Sequence, residues 1–258
     1  MQRMSVHPAL LFLASALACS DGTGPGQRGT VVLQLATTSA GAAAAPVQAS
    51  VEVGLGGDVI VISDVQLVAR KLKLERADGT CTADQDAESE ADDSEVENED
   101  ECAELKLGPL LLEPPLVEGA ASTFTVDLPV GTYDEFQMQI HRPTDHNADA
   151  AFIAAHPEFE GVSIKVTGTW NGAPFTFTTP LTAEVEVELD APVEVAAEGA
   201  TDLTLFLDVG KWFTAPGGAS LINPLALTQE TRSQVEQNIR QSFHAFEDEN
   251  HDGEGDTD

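Results

Sequence analysis

Apolar side chains fall at every second position in one run after another of this chain. Val31, Leu33 and Leu35 take turns with Val32 and Gln34. Val185, Val187 and Leu189 take turns with Glu184, Glu186 and Glu188, and Leu203, Leu205, Leu207 and Val209 with Thr204, Phe206 and Asp208. A period of two sends successive side chains to opposite faces of a strand, so each run predicts a strand with one buried face. In the second run the other face is acidic and must meet water. Turn chemistry separates the runs. Asn171-Gly172 stands between Ile164–Trp170 and Phe175–Thr178, and such a pair between alternating runs predicts a two-residue hairpin. Pro129-Val130-Gly131 joins a strand holding Phe124, Val126 and Leu128 to one holding Phe136, Met138 and Ile140. Residues 58–76 (DVIVISDVQLVARKLKLER) lack Gly and Pro; the second half also suits a helix, but the opening Val59-Ile60-Val61-Ile62 favours strand. No internal repeat is evident, and Ala40 to Ala45 reads as a connection. The expectation is a mainly β fold: an antiparallel β-sandwich, immunoglobulin-like or prealbumin-like, with an acidic loop insertion and one C-terminal helix.

Charge narrows the function classes. The 258 residues carry 44 Asp and Glu against 12 Lys and Arg, a formal net charge of −32. A chain so acidic lacks the clustered bases that a phosphate backbone demands, so nucleic acid is excluded as a partner. Docking on anionic lipid through a basic face is excluded likewise. The acids are not spread evenly. Twelve fall between Asp84 and Glu104 with no base among them, and seven between Glu247 and Asp258. A block of like charge repels itself and cannot build a core, so residues 82–101 are expected to be a solvated insertion. Four of the bases, Arg70, Lys71, Lys73 and Arg76, lie on one predicted strand. With no aromatics interleaved, they read as an internal counterweight to the acidic insertion and not as a ligand site.

The N-terminus reads as an export signal over residues 1–18. Arg3 precedes the apolar run Ala9 to Ala14, which is too short to span a bilayer as a helix. Ala16-Leu17-Ala18-Cys19 resembles the bacterial lipobox, departing from it at Ala16, where Leu is usual. That resemblance implies lipidation at Cys19. The competing reading is an Ala-x-Ala cut, which would leave Cys19 an odd thiol. Residues 19–29, rich in Gly, suit a flexible tether. The remaining two cysteines, Cys81 and Cys102, flank the acidic insertion and form an even pair in an oxidising compartment, so a disulfide between them is expected. Closing such a loop contributes on the order of 3 kcal/mol in the chain-entropy picture. The sandwich is expected over 30–215, with a helix and acidic tail over 216–258.

That helix is predicted from Val235, Ile239, Phe243 and Phe246, whose spacing puts them on one face. Ser233 and Glu236 suit a capping box, and a start nearer Thr228 is the alternative. Beyond it, the tail resembles the opening of an EF-hand-type calcium loop. Asp248, Asn250 and Asp252 supply oxygens at alternate positions, Gly253 permits the reversal, and the Glu254 carbonyl and Asp256 follow. Position twelve falls one residue past Asp258, so Asp258 or the terminal carboxylate would have to stand in. Calcium bound there is expected to be weak, on the order of 0.1–1 mM. The competing reading is a solvated acidic tail.

Three further features of the sequence bear on chemistry. His141, His146 and His156, with Asp145 and Asp149, carry metal-binding side chains. Their spacing matches no helical face, and Pro143 and Pro157 favour a polar loop. Trp170 and Trp212-Phe213 suit a sugar platform, but packing in the core explains them more simply. Signatures of hydrolases, zinc proteases, P-loops and dinucleotide folds are missing from the sequence.

The segments LPVGTYDEFQMQIH, SIKVTGTWNG, LDVGKWF and SFHAFEDENHDG together resemble exported bacterial β-sandwich lipoproteins whose domains have no assigned function. The resemblance implies a fold and a location and brings no catalytic residues. The expected function is therefore a non-catalytic, lipid-anchored protein of the cell envelope at the outer membrane, a binding or structural module. Its expected partners are the membrane, through the lipid, and a protein or glycan. The alternatives are an acidic metal-handling protein of the periplasm, taking calcium, zinc or copper, and a divergent hydrolase.

Overall fold

The computed structural model describes residues 28–37, 50–77, 103–105, 108–116, 121–145 and 149–247. In chain order the strands begin with β1 (Arg28–Thr37), β2 (Val51–Leu55), β3 (Asp58–Arg76), β4 (Ala103–Leu105), β5 (Leu110–Leu112), β6 (Ala121–Pro129) and β7 (Gly131–Ile140). A short helix, α1 (Asp149–Ala155), precedes β8 (Ile164–Trp170), β9 (Ala173–Thr179), β10 (Ala183–Val195) and β11 (Ala200–Leu207). Helix α2 (Gln229–Arg240) and strand β12 (Phe243–Glu247) follow.

The strands form two sheets. The smaller runs β12-β11-β1-β6, and the larger follows the path β10-β7-β3-β8-β9 with β2, β4 and β5 also paired to β3. Their inner faces bury one apolar core, to which β1 gives Val31, Leu33 and Leu35 and β10 gives Val185, Val187 and Leu189. The predicted alternation is a real in-and-out pattern in β10, with Glu184, Glu186 and Glu188 exposed. The smaller sheet lacks it: Gln34 of β1, Thr204 and Phe206 of β11 and the following Asp208 are buried as well as the inward residues. Among the described residues pairing is antiparallel with one exception: β1 lies parallel to β11, Leu33 opposite Leu203. Parallel neighbours need a crossover connection, and here all eight described strands of the larger sheet lie between them in sequence.

Strand β3 organises the larger sheet. Its inward residues are Ile60, Ile62, Val65, Leu67, Ala69, Leu72 and Leu74, so the period of two slips at two places. The pairing register shifts there too, between Ile62 and Asp64 against β8 and between Arg70 and Leu72 against β7. The second bulge holds Lys71 in the left-handed region, φ 54°. An extra residue at each bulge bends the strand and returns apolar side chains to the core. Gly168 permits the close crossing at the first bulge, because a Cβ there would stand 2.0 Å from the Val61 carbonyl oxygen.

Turns match their chemistry. Asn171 (φ 47°) and Gly172 (φ 82°) form the hairpin between β8 and β9, both in the left-handed region that a primed turn requires. The Asn171 side chain accepts from the Val59 N–H and donates to Asp58 Oδ1, each at 2.8 Å, tying the hairpin to the start of β3. The Pro129–Gly131 turn joins two strands as expected, but β6 and β7 belong to different sheets. Tyr133, fully buried, closes this corner: its hydroxyl donates to the Pro129 carbonyl at 2.7 Å. Arg76 covers the Tyr133 ring at 5.9 Å and donates to the Val130 carbonyl.

The C-terminal region departs from expectation. Helix α2 begins at the Thr228 cap, with Thr231 completing the reciprocal capping pair, and ends at Arg240. Ser233 and Glu236 therefore lie inside the helix, and Glu236 accepts from Thr179 Oγ1 at 2.6 Å instead. Val235 and Ile239 bury the helix on the core, while Asn238 donates to the carbonyls of Lys211, Trp212 and Thr214. Phe243 and Phe246 belong to β12, which extends the smaller sheet along β11. The open edge of β11 competes with a further helical turn and wins, because Phe243 and Ala245 reach the core with a period of two around exposed His244.

Candidate functional site

The one place where the histidine-rich segment assembles is the excursion between β7 and β8. Helix α1 occupies part of what the two prolines had marked as loop. It brings Asp149 back to the end of β7, where Asp149 Oδ2 lies 2.9 Å from His141 Nε2 and accepts from the Thr144 N–H at 2.9 Å. Asp149 is only 4% exposed, and its second oxygen, Oδ1, is buried with no hydrogen-bond partner among the described residues. His156 takes no part in this couple and stacks on Phe152 at 4.8 Å. Asp145 is exposed, and His146 lies outside the described residues. The structure thus joins two of the five predicted side chains. Among the described residues no group of three His, Cys, Asp or Glu side chains is placed to hold a metal ion.

Beneath α1 sits a small apolar cluster of its own. Val68 points outward from β3 and packs with Phe152 and Phe159, with Leu111, Ile153 and Val162 at its rim. Val68 also marks the handover between strands: its N–H donates to the Ser163 carbonyl and its carbonyl accepts from the His141 N–H. Both groups of one strand residue face the same edge, so β8 and β7 follow one another along that edge of β3.

Away from this excursion, the outer face of the larger sheet carries aligned rows of side chains. Glu75, Glu135 and Glu188 stand opposite one another across β3, β7 and β10. The next rows are Lys73, Gln137 and Glu186, then Arg70, Gln139 and Glu184. Lys73 Nζ meets Glu75 Oε1 at 2.6 Å, and Gln137 donates to both Glu75 and Glu135. Like charges directly opposite across strands repel, and these donors offset part of that repulsion. Of the basic strand, Lys73 pairs with Glu75 and Arg76 donates to the turn; the acidic insertion it was expected to offset lies outside the described residues. A smaller acidic spot lies at the first bulge of β3. Burial pushes the Asp64 carboxyl above the usual aspartate range, the nearby Glu113 charge adds to the rise, and Lys165 partly offsets it.

The remaining predicted residues fall as follows. Trp212 is fully buried and donates from its indole to Ser242 Oγ at 2.8 Å, and Trp170 is buried in the same core. Neither offers a sugar platform. The inter-sheet space lined by Leu33, Leu35, Leu72, Leu112, Met138 and Leu205 has no room for a water-sized molecule. Cys19, Cys81, Cys102, Asp248, Asn250, Asp252, Glu254 and Asp256 lie outside the described residues. The tail does not follow a helix, since α2 ends at Arg240 and β12 leads to Glu247. Sequence reasoning missed the pairing of His141 with Asp149; their spacing of eight gave no helical signal, and α1 creates the contact. No protein-family model matches the chain, and neither the curated proteins nor the solved structures contain a significant match.

Proposed function

We propose that the chain is a non-catalytic, lipid-anchored protein of the cell envelope, a binding module that presents the carboxylate-bearing face of its larger sheet to a positively charged partner surface. The observation that carries this reading is the alignment of Glu75, Glu135 and Glu188 with Glu186 and Glu184 beside them. A sheet fixes the spacing of such rows, so the face is a rigid array of charge and not a mobile polyanion. The interior of the sandwich is closed by apolar side chains, which leaves recognition to the surface. The anchor in this reading is the lipid on Cys19 after an export signal over residues 1–18, with residues 19–29 as the tether at the outer membrane. A protein with a basic surface fits the face directly; a glycan would need bound cations between.

A photo-crosslinker at position 186 in intact cells tests the face. The expected result is a trapped partner whose yield falls with rising salt and falls again when Glu135 and Glu188 become Gln. Trapping that ignores both salt and the substitutions would contradict the reading.

The second reading, calcium at the tail, draws on the alternating oxygens of Asp248, Asn250, Asp252 and Asp256 around Gly253, with the Glu254 carbonyl. It now stands without the entering helix of an EF-hand, because the tail follows a strand. Calcium titration followed by NMR should shift residues 248–256 more than residues 84–101. Equal shifts in the two tracts would mean that both are screened polyanions.

A further inference from the structure

We infer that the helical excursion Asp149–Phe159 is a conformational unit that opens independently of the sandwich, held shut by the His141–Asp149 couple. This goes beyond the binding role proposed above and does not depend on it. Packing is the first ground. Phe152 and Phe159 bury themselves against Val68 in a cluster separate from the inter-sheet core, so lifting the excursion forfeits its own contacts and leaves the core intact. The second ground is where the backbone bonds lie. Those at Val68, to Ser163 and His141, together with the Gly161 N–H to the Pro143 carbonyl, tie the two ends of the excursion to the sheet and to each other. Inside those ties, the helical bonds are local, His156 N–H to Phe152 and Phe159 N–H to His156.

The third ground is the latch. Both donors, His141 Nε2 and the Thr144 N–H, meet the same oxygen of Asp149, while the other oxygen is buried without a partner. A buried carboxylate oxygen with no donor is costly, and water would solvate it once the excursion lifts. The closed form therefore carries a cost that the open form relieves, and the couple at Oδ2 holds the balance toward closure. Regions that open locally in this way are marked by few buried contacts of their own and by short-range backbone bonds, and both hold here.

Native-state hydrogen exchange of the full chain at one fixed pH tests this. In the unaltered protein the amides of His156 and Phe159 should exchange faster than those of Gln66 and Val166 in the sheet. His141→Ala should speed the first pair about tenfold or more, since a bond to a charged group is lost, and leave the sheet amides unchanged. His141→Gln, which keeps an N–H donor, should recover most of the protection. If His141→Ala does not fold, Asp149→Ala, which removes the acceptor of both bonds, carries the same comparison. Excursion and sheet amides exchanging in step in the unaltered protein would overturn the independent unit. Unchanged rates at His156 and Phe159 in the substituted proteins would overturn the latch.

Discussion

At the scale of single residues, the fold rests on a few side chains whose polar atoms are spent on backbone. Tyr133 is fully buried, and its hydroxyl is given to the Pro129 carbonyl at the point where the chain leaves one sheet for the other. Tyr133→Phe keeps the ring and strands that carbonyl, so thermal unfolding should show a loss of about 1–3 kcal/mol. Asp64 makes the opposite case, a group the fold tolerates at a cost. Its carboxyl holds its proton to higher pH when folded than when unfolded, through burial first and the Glu113 charge second. Whatever Asp64 contributes is present while it is protonated and is lost as pH rises from the unfolded value through the folded one. Asp64→Asn should therefore stabilise the protein at neutral pH and leave it unchanged in strong acid, as denaturant curves at the two pH values would show. A larger gain in acid than at neutrality would contradict the assignment.

At the scale of elements, what was legible in the chain was local. The β8–β9 hairpin followed from Asn171-Gly172, and β10 from alternating Val and Glu, because the turn and the period are properties of neighbouring residues. The length of β3 was legible as well. Its two bulges were not, since only the crossing partners show where an extra residue is needed. Phe243 and Phe246 fitted a helical face with Val235 and Ile239, yet the free edge of β11 takes them into a strand, and no local pattern reports a free edge. The same holds for His141 and Asp149, both marked as metal-binding types and neither marked as partners. Placing Phe243 in β12 leads to a test. Phe243→Ala should cost about 3–5 kcal/mol, as for a large core side chain, whereas His244→Ala, exposed one position on, should be within about 0.5 kcal/mol of the parent. A helix through this segment would also bury Phe243, so the deciding site is Ala245, buried as the next inward residue of β12. Ala245→Asp should destabilise strongly, whereas a helix would turn that position to solvent and tolerate it.

At the scale of the whole molecule, the two sheets close on one apolar core, and the glutamates of β10 stand on the exposed face of the larger sheet. The acidic tract between Asp84 and Glu104 has its stems on neighbouring strands, since β3 and β4 pair with Leu74 opposite Ala103. A loop that leaves and returns at one place can be removed without parting the sheets. Deleting residues 83–100 should therefore keep the thermal transition cooperative, and peptide mapping without reductant should recover Cys81 and Cys102 as one linked species. The proposed lipid anchorage at Cys19 would set where the proposed binding face meets a partner. Its most direct test is fractionation of cells producing the chain with Cys19→Ser. The account predicts that the unaltered protein sediments with the outer membrane and that the serine form moves to the soluble fraction. A serine form that stays with the membrane to the same extent would contradict it.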